Sequence, residues 1–389
     1  MNNAIKASLL IVFALCGKGV SQAQTSTTTA YEQKEGVKIH GILRGKYEYE
    51  PDLSAGRFEV RNARLSAEGN LSKRSAYKLE VDLCDESAIK MKDAWVRLLL
   101  PLTGGDREGL LRVTLGQQRM PFSIDAHRNP SAQYFANRSF IAKQMGDMRD
   151  VGAAVGYDFV DKDNRKVVSV DAGMYNGSNL DNQKTAWFDS PAYSARIQYF
   201  PMKGLAIIPS VQHQLIANRE ASYTSVDFGA YYEIPLPVRE GQGGSLHLEA
   251  EYLRKFYAKD AFDDCNAVNA MAIWTLPTSL KGRSNSFFSG ISALLRYDYM
   301  DNHSDGKKGW TSPDLSTGTL PSGEGGGRGR LVQSDAQRHR LTAGLTFHVR
   351  NKLFPTDIRL NYEKYWYPNN GTPKESEQDK LVAELMIRF

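Results

Sequence analysis

Apolar and polar residues alternate with a period of two along most of this chain. In Val37–Glu50, apolar residues and glycines occupy the odd positions and charged residues the even ones, with Ile42 as the exception. Successive side chains of a β-strand point to opposite faces, so this pattern predicts strands with one apolar and one charged face. The alternation recurs in residues 76–84, 110–118 and 340–350. Apolar residues at helical spacing are scarce, which favours an all-β protein.

Segments of this kind predict sixteen strands. Their centres lie near residues 43, 62, 80, 94, 114, 155, 170, 195, 208, 228, 250, 272, 292, 343, 361 and 384. An even number is typical of bacterial single-chain barrels. Near residues 94, 208 and 272 the pattern is interrupted or ended by Pro101, Pro209 and Pro277, which cannot donate a hydrogen bond to a neighbouring strand.

The charged faces of these strands indicate whether the apolar faces pack into a protein core or contact lipid. A soluble β-sandwich directs its apolar faces into one core and rarely carries charges on the opposite face of nearly every strand. A barrel in lipid needs an apolar exterior and a polar lumen. We therefore predict a 16-stranded antiparallel transmembrane β-barrel over residues 36–389. Aromatic residues near strand ends, such as Tyr47, Trp366 and Tyr367, fit an interfacial girdle, although tyrosine is common in strands generally.

The last nine residues, LVAELMIRF, form one such amphipathic strand that ends on Phe389. This segment resembles the C-terminal signal of bacterial outer-membrane barrels, which implies recognition by the barrel-assembly machinery. The alternative is an ordinary amphipathic edge strand of a soluble sheet.

Residues 1–23 have the features of a secretory signal peptide, and residues 24–35 form a short polar segment. Lys6 supplies a positive start, residues 7–15 are apolar, and residues 21–23 (Ser-Gln-Ala) form a small-x-small cleavage site. A retained anchor is disfavoured because the apolar stretch is about half of the roughly 20 residues that a spanning helix needs. Cys16 suggests a lipoprotein, but bulky Leu15 precedes it. We predict export to the outer membrane of a Gram-negative cell.

Composition narrows the class of protein further. Apolar residues make up 41% of the chain, yet no second run could cross a bilayer as a helix, so an exported product is periplasmic, secreted or a barrel. The net charge is +5, or +3 after Lys6 and Lys18 leave with the signal, which does not support nucleic-acid binding. Cys84 and Cys265 could pair in an oxidising compartment, but two unpaired thiols are favoured.

The predicted connections fall into short turns and long loops. Residues 162–165, 203–204 and 351–352 are short, whereas residues 121–149, 177–190, 258–268 and 301–336 are long. Barrels of this type have short periplasmic turns and long external loops, so the long connections predict the external rim. The Gly-rich stretch 323–330 is then part of an external loop. A phosphate-cradling loop is the alternative, but it lacks the Gly-Lys-Ser/Thr sequence.

Residues 120–149 differ from the other loops because they are rich in apolar side chains and have an excess of cations. The cations, counted from the end of the preceding strand, are Arg119, Arg128, Arg138, Lys143 and Arg149. A loop folded into the lumen would narrow the pore and place guanidinium groups along the ion path, where they bind oxyanions well. Alternatively, these side chains pair with Asp125, Asp147 and strand carboxylates and hold the loop in place.

Several sequence blocks resemble the phosphate-selective porin O and P family. They are RNARLSAEGNLSKRSAYKLEVDL (61–83), MKDAWVRL (91–98), LRVTLGQQRMPFSID (111–125), NRSFIAKQMGDMRDVGAAVGY (137–157), DAGMYNGSN (171–179) and YSARIQYFP (193–201). The resemblance implies a sixteen-stranded, homotrimeric outer-membrane barrel whose third external loop folds inward. It also implies a lumen that favours small inorganic anions, including phosphate or polyphosphate.

Strand parity assigns further arginines to the lumen. Arg44 and Arg112 fall on charged faces, as do Arg196, Arg296 and Arg340, while Arg57, Arg61 and Arg64 lie on a strand whose parity slips near Asn62. Acidic residues share these faces, among them Glu48, Glu59, Glu80 and Asp82. The mixed lining predicts a broad or weak anion preference, and each arginine could instead pair with a carboxylate across the lumen.

Catalytic and metal-binding signals are weak in this sequence. Its histidines show no Ser-His arrangement and no zinc-type pair, so we predict no enzyme and no cofactor. The stretch 301–306 (DNHSDG) resembles a calcium loop only in part, because Ser312 stands where a bidentate Glu is needed. The predicted function is passive diffusion of anions through a barrel embedded in outer-membrane lipid. The alternatives are a non-selective porin and a non-conducting adhesive or structural barrel.

Overall fold

A computed structural model describes most of the chain after residue 36. The described residues are 37–85, 88–104, 107–146, 148–163, 165–177, 187, 191–215, 222–237, 243–258, 264–277, 287–301, 337–351, 354–368 and 377–389. The predicted signal peptide, the polar segment 24–35 and the Gly-rich stretch 323–330 lie outside these residues. Within the described residues, no helix is both long and apolar enough to cross a bilayer.

The described residues form sixteen strands that close into one antiparallel barrel. Each strand pairs with its neighbours in sequence, and the first pairs with the last. The strands are β1 (Val37–Glu50), β2 (Ala55–Ser72), β3 (Ser75–Asp85), β4 (Ala88–Gly104), β5 (Arg107–Arg119), β6 (Arg149–Val160), β7 (Lys166–Tyr175), β8 (Ala192–Met202), β9 (Leu205–Leu215), β10 (Ser222–Pro237), β11 (Gly243–Tyr257), β12 (Cys265–Pro277), β13 (Phe288–Met300), β14 (Arg338–Val349), β15 (Thr356–Trp366) and β16 (Lys380–Arg388). All sixteen predicted strands are confirmed.

The three strands whose sequence pattern is interrupted or ended by Pro101, Pro209 and Pro277 are formed as predicted. Pro101 lies inside β4 opposite Leu110, Pro209 lies inside β9 opposite Phe228, and Pro277 ends β12. Each proline removes one donor from its strand, but the residues beside Pro101 and Pro209 keep their pairing on both sides. The alternation of the strand as a whole therefore outweighs the loss of a single hydrogen bond.

The two faces of the barrel wall differ in the way that the alternation predicts. In β11, His247, Glu249 and Glu251 are buried, while Leu248 and Tyr252 on the alternate positions are exposed. We call the face with buried polar side chains the inner face and the opposite one the outer face. Large apolar side chains are exposed on the outer face, with Phe58 reaching 87% exposure. This distribution is the reverse of that in water-soluble proteins, and it suits a lipid exterior.

The predicted slip of parity near Asn62 is a β-bulge. Arg44 pairs with Asn62, but the next residue, Gly45, pairs with Val60, so Arg61 has no residue opposite it. The bulge places Arg61 and Asn62 on the same side of the strand, which is possible because an inserted residue breaks the period of two. A strand that would otherwise alternate strictly thus presents consecutive polar residues to the interior.

The three longest connections between strands lie on one rim of the barrel. Residues 120–148 join β5 to β6, residues 176–191 join β7 to β8, and residues 301–337 join β13 to β14. Successive antiparallel strands put these three connections on the same rim, and the two-residue turns 73–74 and 203–204 lie on the other.

Candidate pore and its constriction segment

The connection between β5 and β6, which we call the constriction segment (residues 120–148), packs its apolar side chains against the inner face. Phe122, Phe140 and Ile141 are buried in one cluster with inner-face residues of β11, β12, β13 and β15. Phe135 and Ile124 are buried in two further clusters. The inner-face residues that receive these side chains are Leu253, Cys265, Ala267, Met271, Ile273, Leu294, Met300, Ala206, Ile208 and Tyr365. The segment is apolar because it has these patches to cover.

Arginines of the barrel wall bind successive backbone carbonyls of the constriction segment. Arg388 donates to the carbonyl of Ser131 (3.0 Å), Arg359 to Gln133 (2.5 Å), Arg44 to Ala136 (2.8 Å), Arg296 to Asn137 (3.0 Å) and Arg340 to Arg138 (2.7 Å). A guanidinium group carries five donors in a planar fork, so one arginine can bind a carbonyl and a carboxylate together. These arginines come from β1, β13, β14, β15 and β16.

Carboxylates of β11 bind the first part of the same segment. Glu251 accepts hydrogen bonds from the Ser123 hydroxyl (2.5 Å) and the Ile124 amide (2.6 Å), and the Ser123 amide donates to Ser210 Oγ (2.8 Å). Ser123 has a φ of 64°, in the left-handed region that non-glycine residues rarely adopt. Both polar groups of Ser123 are thus used to hold a backbone conformation that is otherwise unfavourable.

Asp125 organises the interior of the constriction segment. It accepts hydrogen bonds from Arg128 (2.5 Å), the Ser139 hydroxyl (2.5 Å) and the Ser139 amide (3.2 Å). Burial alone would raise the pKa of Asp125, but the charges of Arg128 and Arg296 and the Ser139 hydroxyl outweigh it and lower the pKa to about 2. Asp125 is therefore ionised at neutral pH and ties two turns of the segment together.

The five predicted cations in and beside the segment all have protein partners. Arg119 donates to the carbonyls of His127 (2.6 Å) and Arg128 (3.1 Å), and Arg138 donates to that of Ala126 (3.3 Å). Arg128 bonds Asp125 and Glu249, Lys143 bonds Glu377 at 2.7 Å, and Arg149 bonds Asp93 at 3.0 Å. These contacts hold the segment against itself and against the wall.

Four of the eight predicted strand arginines, Arg44, Arg61, Arg64 and Arg112, are paired with carboxylates. Arg44 is 1% exposed and lies 2.7 Å from Glu384. Arg64 pairs with Asp82 (2.8 Å) and Glu80 (3.2 Å), and Arg112 with Asp171 (2.8 Å) and Asp158. Arg61 pairs with Glu59 at 3.3 Å, and its side chain is 34% exposed. The structure therefore divides them: Arg44 contacts the segment, while the other three lie on β2 and β5.

A cavity of about 200 Å³ separates the constriction segment from the wall formed by β3, β4 and β5. Its lining includes Lys78 and Asp93, which bond each other at 2.9 Å, together with Trp95, Arg97 and Arg119. His127 of the segment also lines it. Burial, then the nearby charges of Arg196 and Arg119, lower the pKa of His127 well below its usual value, so this imidazole is neutral.

Arg97 is a candidate pore residue that the sequence analysis missed. Its Nε donates to Thr114 Oγ1 (2.8 Å), and its guanidinium carbon lies 4.3 Å from the centre of the Trp95 ring. Among the described residues, no carboxylate lies within ion-pair distance of Arg97. The sequence pattern that marks Arg97 as an inward residue was present. Asp93, Trp95 and Arg97 occupy every second position of β4 and share one face, and the residues between them are apolar. Arg359 and Arg388 were missed in the same way on β15 and β16.

Cys84 and Cys265 are free thiols, so the favoured alternative of two unpaired cysteines holds. No group of three or more potential metal ligands occurs within the described part of the chain. Apart from Asp301, the stretch with partial resemblance to a calcium loop lies outside the described residues.

A closed sixteen-strand barrel with an apolar outer face and a polar inner face defines the class of bacterial outer-membrane porins. The model of the phosphate-selective porin O and P family matches residues 43–268, more than half of the chain. The chain therefore belongs to this family, which confirms the resemblance found in the sequence and indicates a channel in the outer membrane.

Solved structures of outer-membrane proteins are similar in fold. OprB of Pseudomonas putida has 12% identity and a TM-score of 0.56, covering 91% of this chain and 94% of its own. OmpF of Salmonella typhi, in complex with daunomycin, has 12% identity and a TM-score of 0.55, with coverages of 91% and 97%. OmpT of Vibrio cholerae has 11% identity and a TM-score of 0.53, with coverages of 91% and 98%. No curated protein matched the sequence.

Proposed function

We propose that this porin is a passive diffusion channel for small anions, including phosphate or polyphosphate. In this proposal residues 120–149 form an inward-folded constriction loop, the long connections are external, and solutes pass between the loop and the wall of β2 to β5. The contacts of the segment with side chains of the inner face support the inward fold. The cavity beside β3, β4 and β5 supports the position of the path.

The cationic groups on the wall of β2 to β5 carry the proposal. Arg61, Arg64, Lys78, Arg97 and Arg112 lie on these strands, and Arg149 begins β6 beside them. Arginine binds oxyanions through two parallel hydrogen bonds, and the low dielectric of a narrow lumen strengthens each contact. Anions would be concentrated here by charge and would leave again because no single site encloses them.

We assign different roles to the predicted cations. Arg44, Arg119, Arg128, Arg138 and Lys143 position the constriction loop, since each bonds a backbone carbonyl or carboxylate of the loop or of its immediate surroundings. Arg61, Arg64, Arg112 and Arg149 line the path and contact passing anions. The first group would affect pore size, and the second would affect charge selectivity.

A non-selective porin is the second candidate, and the acidic residues of the same wall favour it. Glu59, Glu80, Asp82 and Asp93 neutralise much of the charge of their arginine and lysine partners. Net selectivity then depends on a small excess of cations. The mixed lining therefore predicts a modest anion preference rather than a strict one.

The proposal places the protein in a Gram-negative outer membrane as a homotrimer surrounded by lipid, without enzymatic activity or a cofactor. One structural relative, OmpT of Vibrio cholerae, is described in a trimer form. Insertion would use the barrel-assembly machinery, which would recognise the last strand and Phe389. Phe389 exchanges two backbone hydrogen bonds with Gly41, so this residue extends the seam where the barrel closes.

The function is tested by planar-bilayer recording of the purified protein under a KCl gradient, with and without phosphate. Discrete conductance steps with an anion-selective reversal potential that are blocked by phosphate support the proposal. Steps without selectivity indicate a general porin. A folded barrel that shows no steps would reject the channel and support a structural or adhesive role.

A further inference from the structure

We propose that Trp95 and Arg97, together with Arg119, form a binding site for an organic anion with a carboxylate on a small planar ring. This inference rests on the proposed function, since the ligand must enter a lumen that admits anions. It goes further by naming a class of solute that phosphate selectivity does not include.

The guanidinium group of Arg97 is oriented but forms no ion pair within the described residues; the charges that act on it from a distance include Arg112, Asp171 and Asp158. Thr114 fixes its Nε, and the Trp95 ring supports its plane from one side. Within the described residues, the two terminal nitrogens of Arg97 have no hydrogen-bond acceptor. A guanidinium held in this way offers a preformed two-nitrogen edge, which a carboxylate can bind with two parallel hydrogen bonds.

The indole of Trp95 lies on the inner face of the barrel. Aromatic residues of membrane barrels usually lie on the outside at the two interfaces, whereas the lumen is polar. Trp95 alternates with the inner-face residues Asp93 and Arg97, is partly exposed, and lines the cavity beside the constriction segment. It therefore provides an apolar surface next to a cation within a wet channel.

The remaining charges of the cavity favour an anion. The carboxylate of Asp93 is bonded by Lys78 (2.9 Å) and Arg149 (3.0 Å), and Glu80 is bonded by Lys78 and by Arg64. Both acids are thus engaged by cations. Arg119 and Arg97 add positive charge on two sides of the cavity, which would repel a cationic solute.

The size and chemistry of the site together indicate a ring carboxylate. The cavity of about 200 Å³ is smaller than pockets for drug-sized ligands, which occupy about 300–1,000 Å³, so it suits one small ring. A strongly hydrated inorganic oxyanion gains nothing from an indole edge, and the negative face of an aromatic ring opposes it. A planar carboxylate can bind Arg97 and also remove apolar surface of Trp95 from water.

The test measures how benzoate, acetate and phosphate reduce the chloride current of the wild-type channel. Benzoate is expected to half-block the current at about one tenth of the acetate concentration, the scale of one buried aromatic contact. Trp95→Leu should remove this difference while leaving acetate block unchanged. Arg97→Gln should weaken block by both carboxylates, and Arg97→Lys, which keeps the charge without the fork, should restore it only in part.

Two variants serve as matched controls. Arg61→Gln removes one cation from the same wall without touching the aromatic site, and it should shift the reversal potential but keep the benzoate preference. Trp274→Leu removes an exposed tryptophan from the outer face and should change neither quantity. Barrel formation of every variant is verified by its altered gel mobility before and after heating.

The two proposals fail in distinguishable ways. Equal block by benzoate and acetate in an anion-selective wild type, or an unchanged benzoate preference in Trp95→Leu, would overturn the ring-carboxylate site and leave the anion channel intact. A wild-type channel without anion selectivity would overturn the proposed function itself, whatever the block by benzoate.

Discussion

Arg44 of β1 and Glu384 of β16 form an ion pair of 2.7 Å across the seam where the barrel closes. Both side chains are almost completely buried, and Arg44 also donates to the carbonyl of Ala136 in the constriction segment. One guanidinium group thus joins the first strand, the last strand and the loop. The closure of the barrel and the placement of the segment are coupled through this residue.

Replacing Arg44 should destabilise the barrel and release the constriction segment. Arg44→Met leaves the buried Glu384 with Arg359 as its remaining arginine partner, and the expected loss is about 3 kcal/mol, near the lower end of values for a broken buried pair. Equilibrium unfolding in detergent measures the loss. Arg44→Lys, which keeps the positive charge beside Glu384, should recover part of it, and Arg57→Gln, at a more exposed pair, should cost at most about 1 kcal/mol. An Arg44→Lys variant no more stable than Arg44→Met would contradict this account.

Ser123 should respond to substitution according to its backbone conformation. Ser123→Ala keeps the unfavourable positive φ and loses the hydroxyl bond to Glu251, so we expect a loss of about 2 kcal/mol. Ser123→Gly loses the same bond but relieves the backbone, so it should be about 1 kcal/mol more stable than the alanine variant. Unfolding of both variants in detergent checks the order. The reverse order would show that the left-handed conformation carries no cost here.

We expect acid pH to weaken the packing of the constriction segment through protonation of Asp125. The pKa of Asp125 is lowered to about 2 in the folded protein, against about 3.9 in an unfolded chain, so its contribution is complete above pH 4. That contribution of about 2–3 kcal/mol is lost as the pH falls from about 4 through 2. Hydrogen exchange of segment amides at pH 7 and near pH 2 measures it. Asp125→Asn should lack this component at both pH values, and an identical pH response in the two proteins would refute the assignment.

Gly41 and Gly45 offer a matched pair of substitutions on the outer face of β1. A Cβ at Gly41 would lie 2.1 Å from the ring of Phe389, whereas one at Gly45 would meet nothing within 4 Å. Gly41→Ala must displace the Phe389 ring and should cost about 1–2 kcal/mol, while Gly45→Ala should be neutral within about 0.5 kcal/mol. Thermal unfolding followed by gel mobility compares them. Equal midpoints would mean that the Phe389 ring moves without cost.

Opposite changes to one ion pair should shift charge selectivity in opposite directions. Arg61→Gln removes a partly exposed cation from the proposed path, and Glu59→Gln removes its carboxylate partner. We expect about a twofold fall in the anion-to-cation permeability ratio for the first and a similar rise for the second, as for single lumen charges screened by salt. Reversal potentials at low salt provide the measurement. Shifts of the same sign in both variants would place this pair outside the conducting path.

The strands were predictable because alternation is a local property that each segment shows on its own. Even the bulge at Arg61 was visible, since an inserted residue shifts the parity of every residue that follows. The apolar content of residues 120–148 also showed that this segment needed a surface to pack against. The matching surface was not recognised, because Leu253, Met271 and Leu294 lie on three different strands, and only the closed barrel brings them together opposite the segment.

The roles of the arginines could not be predicted in the same way. The parity of the strands showed which arginines point inward. It also placed acidic residues on the same faces. It did not show that Arg44 would bond both Glu384 and the Ala136 carbonyl, since these groups lie 340 and 92 residues away. Nor did it distinguish Arg97, whose terminal nitrogens lack a described acceptor, from Arg64, which two carboxylates neutralise.

The number of strands, their direction and the environment of each face, lipid or water, follow from the local order of residues. The alternation of apolar and polar residues is complete within each strand. The pairing of charges depends on which strands meet after closure and on the path of the constriction segment. Hydrogen bonds and ion pairs act over only a few ångströms, so their partners are set by the closed barrel and not by distance along the chain.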